Sequence, residues 1–175
     1  MRKIGHIPAV LLFAAIITAT FPACAQVVCL GASNTAGQGV PPQDAYPAQL
    51  ELMLRAKGYA GRVVNSGISG ETTVAMLARL DSAVPSGTQV VVLQPGRNDL
   101  RQSGNAAERD DNISKIVARL KSRQVEVVML DSAILDAIPR QYLQRDGIHF
   151  TPEGYHLLAS QLVPQVMRAL RLPAN

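Results

Sequence analysis

The stretch Val27-Val28-Cys29-Leu30-Gly31-Ala32-Ser33-Asn34-Thr35-Ala36-Gly37 is an apolar run that stops at a glycine and places a serine just beyond it. Short apolar runs that end at glycine are typical of buried parallel strands. In open α/β sheets, ligands bind just past the carboxyl ends of such strands. Ser33 therefore lies where chemistry is expected, and it is the candidate nucleophile.

Strand-like and helix-like segments alternate along the rest of the chain. Apolar runs predict further strands at residues 62–65, 88–93 and 125–130, and the second of these should be buried on both faces. Helical spacing predicts helices over residues 44–57, with Asp44 as N-cap, over 74–84, over 106–123, and from the N-cap Thr151 onward. Residues 131–144 read as a loop with a turn of helix. This alternation predicts an α/β fold, a three-layer α/β/α sandwich around a flavodoxin-like parallel sheet of four to five strands.

The first 25 residues have the pattern of a secretory signal peptide. Arg2 and Lys3 precede an apolar run, and Ala23-Cys24-Ala25 matches a cleavage site. The run is shorter than the roughly 20 apolar residues that span a bilayer, so no stable membrane anchor is expected after cleavage. We therefore expect residues 26–175 to form a single domain in the periplasm or outside the cell, with lipidation at Cys24 left open.

Charge and cysteine content exclude several classes of function. The chain has 17 basic and 13 acidic side chains, and Arg2 and Lys3 would leave with the signal, which argues against a nucleic-acid partner. Only Cys29 would remain after cleavage, so neither a disulfide framework nor a thiolate zinc site can form, and this thiol is expected in the core. The histidines and scattered carboxylates form no metal motif, and no nucleotide-binding motif is present. No cofactor or metal is expected.

Polar residues follow the other predicted strands as well. Gly70 comes after the second strand, Asn98 comes after the third, and a turn with Asp146 and His149 precedes the last helix. Acyl transfer needs a hydroxyl, a base, a carboxylate that orients the base, and donors for an oxyanion. Asp146, three residues before His149, can reach its ring, whereas His156 has no such partner and reads as a surface or packing residue.

Four blocks of sequence resemble those of the SGNH (GDSL-type) hydrolase family, a group of esterases and lipases, and they occur in the family's order. The blocks are Gly31-Ala32-Ser33-Asn34, Asn65-Ser66-Gly67-Ile68-Ser69-Gly70, Gly96-Arg97-Asn98-Asp99 and Asp146-Gly147-Ile148-His149. The resemblance implies that Ser33 is the nucleophile, His149 the general base and Asp146 its orienting carboxylate. It also implies an oxyanion hole built from the backbone N–H groups of Ser33 and Gly70 and the side-chain amide of Asn98.

The chain departs from the family pattern at two places. Ala32 stands where the family usually has an aspartate, a side chain that can brace the serine turn. The passage from Leu130 to Asp146 is short, where the family generally carries another helix and a fifth strand. We therefore expect a trimmed sheet and a more open cleft. Asp99 reads as a structural capping residue, with a substrate contact as the alternative.

These observations predict an exported serine esterase that acts on a small-molecule ester through an acyl-enzyme. A short-acyl ester, a thioester and a lysophospholipid are all compatible substrates. The alternatives are a carbohydrate O-acetylesterase and a catalytically impaired module of the same fold that binds carbohydrate or lipid. The G-x-S-x-G elbow of α/β-hydrolases is absent, so Ser69 reads as a turn or cap residue. The oligomeric state is open, and a monomer is compatible with the sequence.

Overall fold

The computed structural model describes residues 25–173. Apart from Ala25, the predicted signal peptide lies outside the described residues. Within them, no helix combines the length and the apolar character that a membrane crossing requires.

Four parallel strands form the central sheet: β1 (Ala25–Gly31), β2 (Arg62–Gly67), β3 (Val90–Gln94) and β4 (Glu126–Met129). Their spatial order is β2-β1-β3-β4, which confirms the predicted parallel sheet with four strands in the described part of the chain. Gly31 at the end of β1 is in register with Gly67 on one side and Gln94 on the other. The segments that follow these three strands therefore start close together.

Within residues 25–173, eight helices accompany the sheet: α1 (Ser33–Ala36), α2 (Tyr46–Ala56), α3 (Thr73–Ala78), α4 (Leu80–Ala83), α5 (Asn98–Gln102), α6 (Ala106–Ser122), α7 (Ser132–Asp136) and α8 (Pro152–Ala169). Short 3-10 helices cover Pro42–Asp44 and Arg140–Tyr142. Residues of β1 alternate between two buried clusters: Cys29 packs with α2 and α8, and Leu30 packs with α3, α4 and α6. Because side chains alternate across a strand, one apolar run serves both layers of helices. The three-layer α/β/α prediction is confirmed.

The ends of several helices differ from the predictions. Asp44 does not cap α2: the helix begins at Tyr46 after Ala45, and Asp44 lies in the preceding 3-10 helix. Pro47 accounts for this shift, because proline fits only the first turn of a helix. The predicted N-cap Thr151 is confirmed, since its hydroxyl accepts a hydrogen bond from the Gly154 N–H at 3.3 Å.

The predicted helix over residues 74–84 is broken into α3 and α4 at Arg79. No glycine or proline marks this position, so local sequence could not reveal the break. Met76 precedes the break and Leu80 follows it. Both are fully buried in the cluster that contains Leu30. Residues 131–144 contain α7 and a 3-10 helix rather than another strand, as expected for a trimmed sheet.

Candidate active site

Ser33 is the first residue of α1 and is separated from the end of β1 by Ala32 alone. The short helix begins with a hydrogen bond from the Ala36 N–H to the Ala32 carbonyl at 2.9 Å and ends at Gly37, whose φ is 79°. Ser33 is 9% exposed and lines a cleft of about 1300 Å³. Its backbone N–H has no acceptor among the described residues, as expected for the first turn of a helix.

The serine turn is braced by a side chain from the neighbouring strand. Gln94, at the end of β3 and 3% exposed, accepts two hydrogen bonds at Oε1, from the Ala32 N–H at 3.0 Å and from the Thr35 hydroxyl at 2.9 Å. The Tyr46 hydroxyl lies 3.3 Å from the Thr35 Oγ1. A Cβ at Gly31 would lie 2.2 Å from that Oγ1, so only glycine permits this close approach. The turn is thus held without a polar side chain at Ala32.

The role of Gln94 was not predicted from the sequence, although one signal was available. It is a polar residue that continues an otherwise apolar strand. Gln94 in β3 is paired with Gly31 in β1, and this register places the Gln94 amide beside the serine turn. A polar side chain at the end of a buried strand needs hydrogen-bond partners, and the turn supplies them.

A second contact joins the serine turn to the last helix. The Tyr155 hydroxyl donates to Asn34 Oδ1 at 3.2 Å. The Tyr155 ring packs edge-on against Phe150, with ring centroids 5.5 Å apart at 84°. Phe150 directly follows His149, so these aromatic rings connect the residue after Ser33 to the residue after His149.

His149 and Asp146 form a hydrogen-bonded pair. The His149 Nδ1 lies 2.5 Å from Asp146 Oδ2, and Asp146 Oδ1 accepts the backbone N–H groups of His149 at 3.0 Å and Ile148 at 2.9 Å. The His149 N–H, the His149 ring and the Ile148 N–H hold the pKa of the Asp146 carboxyl well below its usual range. His149 is 7% exposed, and its Nε2 is buried without a hydrogen-bond partner among the described residues.

The histidine turn adjoins the cleft that Ser33 lines. Ile148 and Phe150, on either side of His149, both line it. Gln144 connects the two turns, because its Nε2 donates to the Gln38 carbonyl at 2.8 Å and to the Phe150 carbonyl at 2.7 Å. No hydrogen bond joins the Ser33 hydroxyl to His149 in the described residues; such bonds are often loose without substrate and tighten in the complex.

His156 is an exposed residue of α8, as predicted. Its Nδ1 lies 3.1 Å from Gln49 Oε1, and it has no carboxylate partner among residues 25–173. The choice of base from the sequence therefore agrees with the contacts of the two rings.

The loops after β2 and β3 meet at Asn98. This residue is 6% exposed, donates from Nδ2 to the Glu71 carbonyl at 2.8 Å and accepts a hydrogen bond from Arg101 at Oδ1 at 2.7 Å. The neighbouring Gly70 is exposed, with φ of 80° and open space where a Cβ would stand. The Gly70 N–H has no acceptor in the described part of the chain. Gln102 Nε2 also donates to the Gly70 carbonyl at 3.0 Å, so several hydrogen bonds join the segments that carry these two implied donors.

Buried charges support these loops. Asp99 is 5% exposed and accepts the Thr73 hydroxyl at 2.6 Å and the Thr73 N–H at 3.0 Å, the first N–H of α3. The predicted structural role of Asp99 agrees with these contacts. Glu71 is ion-paired with Arg79, whose guanidinium also donates to Ser66 Oγ at 2.8 Å. No local pattern in the sequence predicted this ion pair.

Cys29 lies in the core, as predicted. It is fully buried, and burial raises the pKa of its thiol to about 12. Because only the thiolate is a strong nucleophile, this cysteine is inert at neutral pH. Within residues 25–173, no three His, Cys, Asp or Glu side chains are grouped as a metal site would require.

Comparison with known proteins identifies the family. Residues 29–141 match the model of the GDSL-like lipase/acylhydrolase family, and the chain belongs to that family. The match includes Ser33, Gly70 and Asn98 and ends before Asp146.

Relatives and solved structures agree with this assignment. An arylesterase of Vibrio mimicus is 29% identical over 127 residues, 72% of this chain and 64% of the relative. The esterase TesA of Pseudomonas aeruginosa is 30% identical over 118 residues, 66% and 59% of the two chains. The chain thus spans about three fifths of the length of these relatives.

Solved structures share the fold. A TesA crystal structure superposes with a TM-score of 0.74 at 21% identity, covering 82% of this chain and 98% of the other. AlinE4, an SGNH-hydrolase family esterase, gives a TM-score of 0.61 at 27% identity, with 86% and 98% covered.

Proposed function

We propose that this protein is a serine esterase that hydrolyses carboxylic esters through an acyl-enzyme on Ser33. The observation that carries the proposal is the Asp146–His149 pair, with Nδ1 held at 2.5 Å and Nε2 buried without a partner beside the Ser33 cleft. Membership of the GDSL-like lipase/acylhydrolase family and similarity to two esterases support it.

In the first step, His149 Nε2 accepts the Ser33 hydroxyl proton while Oγ attacks the ester carbonyl carbon. The carbonyl π electrons move to oxygen and form a tetrahedral oxyanion. Asp146 holds Nδ1 protonated, so that Nε2 is the basic nitrogen, and stabilises the imidazolium that forms. The bond to the leaving group then breaks, and its oxygen takes the proton from His149. An acyl-Ser33 ester and a free alcohol result.

In the second step, water repeats the attack on the acyl-enzyme. His149 Nε2 removes a proton from the water, and the hydroxide oxygen adds to the acyl carbon. Collapse of the second tetrahedral intermediate returns the proton to Ser33 Oγ. The carboxylic acid leaves and the enzyme is regenerated.

The oxyanion is proposed to bind the N–H groups of Ser33 and Gly70 and the amide of Asn98. Both backbone groups lack an acceptor within the described residues, and the Asn98 amide has a second proton besides the one donated to Glu71. Donors of this kind, held in place before the reaction, each contribute about 3 kcal/mol to transition-state stabilisation.

The test compares Ser33→Ala with Ser69→Ala, a matched change at an exposed turn serine. Hydrolysis of para-nitrophenyl acetate should fall at least about 10³-fold in Ser33→Ala, and Ser69→Ala should behave as the wild type. A fluorophosphonate probe should label the wild type and Ser69→Ala only. Equal rates for Ser33→Ala and the wild type would reject the proposal. A folded wild type that neither hydrolyses esters nor takes the label would instead support the binding-module alternative.

We further propose that residues 1–25 direct export and are removed. The basic start, the apolar run and the Ala23-Cys24-Ala25 site support this. Amino-terminal sequencing of the periplasmic or secreted protein should then begin at Gln26. Recovery of the uncleaved chain in the cytoplasm alone would contradict export without bearing on the esterase proposal.

A further inference from the structure

The cleft beside Ser33 is rich in arginine. Five arginines line it: Arg97, Arg101, Arg109, Arg140 and Arg145. The acidic residues in its lining are Asp131 and Asp136. Basic residues therefore outnumber acidic ones five to two in the lining, against 17 to 13 in the whole chain, so the cleft is predominantly positive.

Three of the five arginines have partners that fix them. Arg97 pairs with Asp136 at 3.2 Å, Arg109 pairs with Asp110 at 3.0 Å and donates to the Gly96 carbonyl, and Arg101 donates to the Asn98 amide. The charges of Arg97 and Arg109 are thus paired with aspartates, and Arg101 is bound to Asn98.

Arg140 and Arg145 are different. Neither side chain has a hydrogen bond or an ion pair with another residue of the described chain, and both residues are exposed at the cleft. Arg140 begins the 3-10 helix that follows α7, and Arg145 immediately precedes Asp146. Their guanidinium groups are therefore available to a ligand that enters the cleft.

Guanidinium groups bind carboxylates and phosphates through paired N–H donors. A cleft of one charge with low-dielectric walls also raises the local concentration of ions of the opposite charge. A volume of about 1300 Å³ admits an ester together with a charged group several atoms away from the scissile bond. A neutral ester would offer neither Arg140 nor Arg145 an anionic group to bind.

We propose that this cleft selects esters or thioesters that carry a carboxylate or phosphate group, which Arg140 and Arg145 bind. This inference rests on the proposed esterase function. The arginines contribute to ground-state and transition-state binding alike, so they act on substrate choice and leave the acyl-transfer steps unchanged.

The experiment compares charged substrates with their neutral methyl esters. Mono-para-nitrophenyl adipate is paired with its methyl ester, and para-acetoxybenzoate is paired with methyl para-acetoxybenzoate. The first pair places the charge on the acyl side, and the second places it on the leaving group. A further substrate, para-acetoxyphenyl phosphate, distinguishes phosphate from carboxylate. The enzymes are the wild type, Arg140→Gln/Arg145→Gln, the lysine pair Arg140→Lys/Arg145→Lys, and the control Arg168→Gln on α8.

The wild type should prefer the charged member of at least one pair in kcat/KM, through KM, and high salt should weaken the preference. Arg140→Gln/Arg145→Gln should lose about fivefold in kcat/KM on the charged ester and keep its rate on the neutral one. The lysine pair should retain part of the preference, and Arg168→Gln should retain all of it. Equal kcat/KM for both members of each pair, with Ser33-dependent activity intact, would overturn this inference alone. Activity that does not depend on Ser33 would overturn the proposed function instead.

Discussion

The turn at Ser33 and the turn from Asp146 to His149 adjoin the same cleft, but different kinds of contact hold them. Asp146 bonds to residues two and three positions away, and the Gln144 N–H closes the turn on the His149 carbonyl at 2.7 Å. The Ser33 turn depends instead on Gln94, 59 to 62 positions along the chain, and on Tyr155, 121 positions from Asn34.

This difference means that the two turns should respond to different substitutions. The histidine turn forms its own hydrogen bonds from nearby residues, so its geometry is encoded locally. The serine turn takes its geometry from strand pairing and helix packing. A change in β3 should therefore disturb Ser33 and leave the Asp146–His149 pair intact.

Asp146→Asn should have the largest effect of the three changes predicted below. The amide cannot hold His149 in the tautomer whose Nε2 is basic, so kcat/KM should fall about 10³- to 10⁴-fold. Asp136→Asn, an exposed aspartate of the same cleft, is the control for charge. Initial rates of ester hydrolysis measure the effect. A loss below about tenfold would show that Asp146 does not orient the base.

Gln94→Leu should have an intermediate effect. The Ala32 N–H and the Thr35 hydroxyl lose their acceptor, so the free energy of unfolding should fall by about 1–3 kcal/mol. The rate of fluorophosphonate labelling at Ser33 should also fall, because the turn that presents the hydroxyl is no longer braced.

Two readouts separate this positioning role from general destabilisation. Gln94→Glu keeps the acceptor oxygen and should restore most of the labelling rate, and Thr35→Val should lose only one of the two bonds. The downfield proton signal of the Asp146–His149 hydrogen bond should be unchanged in Gln94→Leu. Wild-type labelling in that variant would show that Gln94 does not support the serine turn.

The smallest effect concerns acid stability. Folding lowers the pKa of Asp146, so the ionised carboxylate stabilises the folded state. That stabilisation is fully present above the ordinary aspartate pKa of about 4 and is lost as pH falls through the lower pKa of the folded protein. The difference in unfolding free energy between the wild type and Asp146→Asn should therefore shrink in acid.

Urea unfolding at a series of pH values measures this difference. The corresponding difference for Gln94→Leu should stay constant, because a glutamine does not titrate. A constant Asp146→Asn difference down to strong acid would contradict the pKa shift and its cause.

Much of the fold was predictable from local patterns. The run that ends at Gly31 predicted a buried strand, and Thr151 before Pro152 predicted the start of α8. The prediction that Asp44 caps α2 was wrong. Asp44 has the chemistry of a cap, but Pro47 must lie in the first turn of the helix, so the helix begins at Tyr46. The break at Arg79 was not predictable, because packing of Met76 and Leu80 has no local marker there.

The sequence by itself determined the parallel α/β fold, the family and the Asp146–His149 pair, because each depends on residues close together or on a repeated local pattern. Only the tertiary structure revealed that Gln94 braces the turn beside Ala32 and that Arg140 and Arg145 share a cleft with Ser33. These features arise where strand register and loop packing bring distant residues together. A hydrogen bond across a sheet depends on which strands are neighbours, and the order of residues along one segment does not contain that information.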